Sequence, residues 1–311
     1  MIFWIVLAIL IISIIGIILA YVIYTNYKIE NENVVKSLVS GLKMISAVNQ
    51  TITHNNIDIP IYYINLKRSP ERQEYMQKQI EQHNVKNWTR IEGVNGKNDP
   101  TVKYINNFNK FRTLTNGEIG CCLSHLRAIK QAYDDGVEYA LILEDDASFD
   151  LAPHWDKPLS ELIAKAPENW TILQLYSDSD YTLISEDYCC PAKRGWRSIT
   201  ALAYVINRSA MGRLLDRVLK DETYILSPNI FYRGEADYYI YNILDGNNRY
   251  LTNPPLFMAN NLDLLSTIHT HHQHLHLYMA WKTLSLYIQK IVKNPIYADI
   301  IWKEMNIIIR S

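Results

Sequence analysis

Three consecutive acids, Glu144-Asp145-Asp146, directly follow Tyr139-Ala-Leu-Ile-Leu143, the most strand-like run in the chain. Carboxylates are almost never fully buried unless paired or bound to metal. Acids at the exit of an apolar strand are therefore either solvated in a loop or held by a cation. In open α/β sheets the ligand crevice lies at the C-terminal ends of the strands. Alternate residues of an extended segment point the same way, so Glu144 and Asp146 are expected to share a face. Two carboxylates converging there would repel without a cation. Mg²⁺ or Mn²⁺ suits such hard oxygen ligands and keeps positions for substrate phosphates. Asp178-Ser-Asp180 is a rival D-x-D after another expected strand, in a Ser- and Tyr-rich stretch that reads as a plain loop.

Other residue types with chemical potential each have a plain reading beside the functional one. Ser124-His125 lies on a helical pattern with apolar neighbours, where a single His is either a satisfied core group or a functional one. Arg68 and Arg72 stand at a helix start: Arg binds diphosphate by paired hydrogen bonds, or is simply solvated. Glu235-Ala-Asp237 opens a predicted helix, whose N-terminus favours negative charge in any case. His269, His271, His272, His274 and His276 crowd one short tract, which binds metal or is solvated.

The elements that must hold these residues alternate between strand and helix. Ile59–Leu66 is a nearly continuous apolar run, as expected for a strand buried on both faces. Ser69-Pro70 then starts a helix to about Gln82, with Ser at the N-cap and Pro at the first helical position. Thr115 and Glu118 have the spacing of a capping box, although Glu118 is alternatively a site residue. Ile119, Cys122, Leu126, Ile129 and Tyr133 recur behind it at helical spacing. Thr171–Tyr176 and Ile199–Ile206 read as further strands, 209–220 and Asp237–Leu244 as further helices. The pattern predicts one α/β domain with a mainly parallel sheet over about 58–268.

Composition sets the remaining bounds. A net charge of −1 argues against a nucleic-acid binder, and 48% apolar against 20% charged residues argues against disorder. The four cysteines form two adjacent pairs, Cys121-Cys122 and Cys189-Cys190, without the C-x-x-C spacing of a zinc or redox site. They read as small buried residues, with a bridge between the pairs as the alternative. Residues 1–27 carry no charge, and the Ile2–Ile23 run is long enough to span a bilayer. The expectation is a single-pass membrane anchor at 1–24, a polar stalk at 25–57, and a His-rich, amphipathic segment at 269–311. Lys28, Lys36 and Lys43 after the span favour a cytosolic domain, whereas N-x-S/T sequons at Asn49, Asn87, Asn169 and Asn207 suit a lumen.

Five blocks, in order, resemble glycosyltransferase family 25. They are Ile61-Tyr-Tyr-Ile-Asn-Leu-Lys-Arg-Ser-Pro-Glu-Arg72; Ile91-Glu-Gly-Val-Asn-Gly96, with Asn95 where the family usually has Asp; Leu114-Thr-Asn-Gly-Glu-Ile-Gly-Cys-Cys-Leu-Ser-His-Leu126; Tyr139-Ala-Leu-Ile-Leu-Glu-Asp-Asp146; and Thr200-Ala-Leu-Ala-Tyr-Val-Ile206 with Ala210. The resemblance implies a GT-A-like fold, a nucleotide-sugar donor such as a UDP-sugar, Mn²⁺ or Mg²⁺, inversion at the anomeric carbon, and a glycan or protein acceptor. On that basis Asp146 and Glu144 become metal ligands, with Glu144 and Asp145 as alternative donor-binding groups. Asn65, Arg68 and Arg72 line the nucleotide's docking place. Asp237, with Glu235 second, is the expected general base, and His269 an expected late metal ligand. A catalytically degenerate, membrane-tethered sugar- or metal-binding module is the alternative, and a metal-dependent phosphohydrolase would use the same acids.

Overall fold

The computed structural model describes residues 56–105, 114–155, 157–176, 189–191, 200–227, 235–244, 248–252 and 255–260. The expected membrane span and stalk, the Asp178–Asp180 motif and the His tract lie outside them. Among the described residues no helix is long and apolar enough to cross a membrane.

In chain order, β1 is Ile61–Asn65, α1 Pro70–Gln82, β2 Trp88–Glu92, β3 Val102–Tyr104, α2 Asn116–Asp134 and β4 Tyr139–Glu144. There follow β5 Ala147–Ser148, α3 Leu159–Ile163, β6 Ile172–Gln174, β7 Cys189–Pro191 and β8 Ala203–Asn207. The remainder is α4 Arg208–Val218, β9 Leu219–Lys220, β10 Thr223–Leu226, α5 Ala236–Ile243, β11 Arg249–Thr252 and β12 Met258–Ala259. Seven strands form the central sheet in the order β2-β1-β4-β8-β6-β11-β7. The strands β2, β1, β4, β6 and β11 run one way, and β8 and β7 run against them. The sheet is thus mainly parallel, as the sequence implied, but β8 is inserted antiparallel between β4 and β6.

Strand alternation divides the core into two layers. Tyr63, Leu141 and Leu143 face Met76, Ile80 and Phe149 on the α1 side of the sheet. Tyr62, Ala140 and Ile142 face Leu123, Leu126, Met211 and Ile240 of α2, α4 and α5 on the other. Each fully buried aliphatic side chain contributes about 2 kcal/mol to this arrangement. Both faces of β4 are covered, which is why its sequence is uninterruptedly apolar rather than alternating.

Helix starts follow local chemistry unevenly. The capping box of α2 forms as its spacing implied: Thr115 Oγ1 accepts from the Glu118 amide at 3.2 Å, and Glu118 Oε2 accepts from the Thr115 amide at 2.8 Å. Ser69 precedes α1, but its side chain makes no capping bond; Pro70 lacks the first amide, and the turn is instead held by Asn65 Nδ2 donating to the Ser69 carbonyl at 3.0 Å. Cys121 and Cys122 are free thiols, so the bridge between cysteine pairs does not form through them.

Candidate active site

The strand order β2-β1-β4 creates the crevice. From β1 the chain passes through α1 to β2 on one side, then through α2 to β4 on the other. The two helices leave on opposite faces of the sheet. A gap therefore opens at the C-terminal ends of β1 and β4, where α/β sheets bind ligands. A cleft of about 600 Å³, counting its open mouth, lies there. Its walls come from the end of β1, the loop after β2, the first turns of α2 and the end of β4.

The loop after β2 is pressed onto α2. Gly120 leaves no room for a side chain: a Cβ there would sit 2.4 Å from the Val94 carbonyl oxygen. The Val94 amide donates to Ser124 Oγ at 2.8 Å, and Ser124 Oγ donates to the Gly120 carbonyl at 2.6 Å. Ser124 thus ties loop to helix at the wall of the cleft.

The acidic run splits between the two layers. Glu144 still belongs to the strand and meets α2, its Oε1 lying 3.3 Å from His125 Nε2. The strand ends there, so simple alternation ends too. Arg72 of α1 reaches both following acids, pairing with Asp145 and, at 3.1 Å, with Asp146 Oδ2. The expectation that Glu144 and Asp146 share one strand face is therefore corrected. Their charges still act on each other. Burial, then the Glu144 charge, push the Asp146 carboxyl up to about 7 despite Arg72. Burial also raises Asp145, against the opposing pull of Arg72 and Asn65. Burial works against the Arg72 charge, but Asp146 and Asp145 more than offset it, and its pKa is raised.

Asn65 is 1% exposed, and its side-chain contacts are internal. Its Nδ2 donates to Asp145 Oδ2 at 2.8 Å, and its Oδ1 accepts from Arg90 Nε at 3.0 Å. Its side chain thereby orients Asp145. Asp145 has both oxygens engaged, by Asn65 and Arg72. Asp146 differs: its Oδ1 is buried and has no hydrogen-bond partner among the described residues. An ionised oxygen in that state costs several kcal/mol unless a cation or proton meets it. Arg68 lies at the mouth of the cleft, with Nη1 3.4 Å from Asn95 Oδ1.

The sequence-level candidates are brought together in part. Asn65, Arg72, Glu144, Asp145 and Asp146 form one cluster. Asp237, in the first turn of α5, is electrostatically close: its charge acts on the Cys121 thiol, as do those of Glu144 and Asp146. Glu235 is the residue before α5 and acts with Asp237 on Cys122. His269 lies outside the described residues.

Several supporting residues had not been singled out. Gln79 is buried on α1, two turns after Arg72. Its Nε2 donates to the Ala147 carbonyl at 3.0 Å and its Oε1 accepts from the Phe149 amide at 2.7 Å. The inner face of α1, at Arg72, Met76, Gln79 and Ile80, thereby fixes the whole path of 145–149. That i, i+4, i+7, i+8 spacing was available as a signal, had polar residues been admitted to the buried stripe. Tyr204 on β8 is fully buried and sets its hydroxyl 3.2 Å from His125 Nδ1. Cys121 lines the cleft where it had been read simply as a small residue.

The likenesses to known proteins point the same way. The chain is 31% identical to human procollagen galactosyltransferase 2 over 128 residues, which is 37% of this chain and 20% of that protein. The mouse procollagen galactosyltransferase 2 is 32% identical over 130 residues, with the same coverage. The chain thus aligns with about a fifth of the length of these relatives. Residues 58–225, more than half of the chain's 311, match the family described as "Glycosyltransferase family 25 (LPS biosynthesis protein)". The matched segment contains β1, α1, α2, β4 and the whole acidic cluster, and it ends before Glu235 and Asp237. With the crevice and the acids at the end of β4 inside this match, the chain belongs to glycosyltransferase family 25.

Proposed function

We propose that the protein moves a hexose, by default galactose, from a UDP-sugar to a glycan or hydroxylated protein acceptor, with a divalent cation and with inversion. The observation that carries this reading is the buried Asp146 Oδ1, without a hydrogen-bond partner among the described residues, one residue beyond Asp145 at the wall of the crevice. The hard carboxylate oxygens of Asp146 fit Mn²⁺ or Mg²⁺, with His269 of the later chain as the further ligand in this reading, while Glu144 turns instead toward His125. When bound, such an ion offsets charge developing on a departing diphosphate.

The chain's own residues do the rest of the work in this reading. Arg68 and Arg72 put two guanidinium groups at the cleft, and Gly117 at the start of α2 adds the positive end of a 19-residue helix. Asn65 and Arg90 keep Asp145 in place so that Arg72 does not swing away. Asp237, across the Cys121 thiol, takes the proton from the acceptor hydroxyl as the sugar is transferred. Asn260 donates its amide to the Asp146 carbonyl at 2.7 Å. An N-terminal membrane anchor over Ile2–Ile23 remains part of the proposal.

The test is release of UDP from a panel of UDP-sugars by the full chain with Mn²⁺. Turnover is expected, lost in Asp146→Ala and lowered at least about 100-fold in kcat by Asp237→Asn. Donor binding without hydrolysis or transfer would replace the reading with that of a binding module.

A further inference from the structure

A second group of metal-binding atoms sits on the α2 wall of the same cleft and differs in chemistry from the acidic run. Cys121 Sγ, the His125 ring nitrogen and a Glu144 carboxylate oxygen all lie within 4.8 Å of one another. Cys121 and His125 are four apart on α2, hence on one face of the helix, and Glu144 ends the strand beneath them. All three line the cleft. His125 is fully buried and sandwiched between Glu144 and Tyr204: Nε2 is 3.3 Å from Glu144 Oε1, and Nδ1 is 3.2 Å from the Tyr204 hydroxyl. A hydroxyl held against the far nitrogen is the outer contact that orients metal-binding imidazoles. Tyr204 serves either tautomer, because a hydroxyl both donates and accepts.

We propose that Cys121, His125 and Glu144 form a binding site for a thiophilic divalent cation, Zn²⁺ being the natural occupant. The set is one thiolate, one imidazole and one carboxylate, the ligand types that zinc accepts, with the cleft supplying an open fourth position. A tetrahedral zinc ion would space these atoms roughly 3.5 Å apart. The site therefore closes by about 1 Å, through rotation of Cys121 and of Glu144, whose side chain is 32% exposed. Softness separates this site from the carboxylates of Asp146: thiolate and imidazole favour Zn²⁺ or Co²⁺ over Mn²⁺ and Mg²⁺. Without a cation the thiol stays protonated, because burial and the charges of Glu144 and Asp237 hold its pKa well up. A bound dication reverses that balance and displaces the proton to solvent.

The proposal is independent of sugar transfer, and so is its test. The full chain, purified in detergent, reduced and stripped of metal, is titrated with Co²⁺. The thiolate-to-cobalt charge-transfer band in the near ultraviolet is followed, and Zn²⁺ is then added as competitor. About one equivalent of Co²⁺ is expected to give the band, Zn²⁺ to erase it, and excess Mn²⁺ to leave it. Cys121→Ser should abolish the band, and Cys122→Ala and Asp146→Asn should keep it. Tyr204→Phe should weaken Zn²⁺ about tenfold by releasing the His125 ring. Because a variant can fail to fold, Zn²⁺ protection of Cys121 against alkylation is read by mass spectrometry on the unsubstituted chain. A band that survives Cys121→Ser, or Cys121 alkylation at the same rate with and without Zn²⁺, overturns the assignment.

Discussion

Replacing Asp146 by Asn is expected to make the metal-free protein more stable at pH 8, not less. The Asp146 carboxyl is pushed up to about 7 in the folded protein, from an ordinary 3.8, first by burial and then by Glu144. Between those two values the native state keeps a proton that the unfolded chain has released. Stability therefore falls as pH rises through that window, and the loss is complete above pH 7. About three units correspond to roughly 4 kcal/mol. For a domain of this size that is on the order of 10 °C in melting temperature. Thermal unfolding of the metal-free chain at pH 5 and pH 8 measures it directly. The parent protein should be the more stable at pH 5, and Asp146→Asn should narrow the gap. Asp145, also raised, works in the same direction and persists in the variant, so the pH slope shrinks without vanishing. Asn retains an oxygen for Arg72 at the 3.1 Å contact, so the ion-pair network is not otherwise dismantled. Mn²⁺ at pH 8 should stabilise the parent and not the variant. A variant less stable than the parent by more than about 1 kcal/mol at pH 8, in a background with no pH slope, refutes the reasoning.

Arg72→Met should destabilise by about 3–5 kcal/mol, because it strands two buried carboxylates, and Mn²⁺ should restore part of the loss in urea melts. Gln79→Leu keeps the volume but orphans the Phe149 amide and the Ala147 carbonyl, at a cost of about 2–4 kcal/mol by the same measurement. Gly120→Ala drives a methyl into the Val94 carbonyl and should cost about 1–3 kcal/mol, with a raised KM for the donor in the UDP-release assay.

The three-residue acidic run, the capping box and the strand–helix alternation were legible because each is written in neighbouring residues. An apolar run with four consecutive buried residues, Ala140–Leu143, needs no partner to announce itself, and Thr115 and Glu118 find each other within one turn. The anchoring of α1 was half legible: Pro70 fixed its start, yet the Ser69 side chain does not cap it, and the bond from Asn65 to the Ser69 carbonyl comes from a residue on β1. Short strands such as β3, β5, β9 and β12 carry too few residues to show a period, and pairing alone makes them strands.

What the sequence determined by itself was the class of fold, the family and the run of carboxylates at the end of β4. Those follow from residue types in short runs and from motif order. Only the tertiary structure decided what each carboxylate faces. Arg72 and Asn65 reach Asp145 across 73 and 80 residues, and His125 reaches Glu144 from another layer. Asp145 is locked by partners, Asp146 keeps one buried oxygen without a partner among the described residues, and Glu144 turns toward a thiol and an imidazole. The physical reason is that a carboxylate's state is set by what surrounds it within a few ångströms, and those neighbours are chosen by the sheet order, not by the adjacent residues.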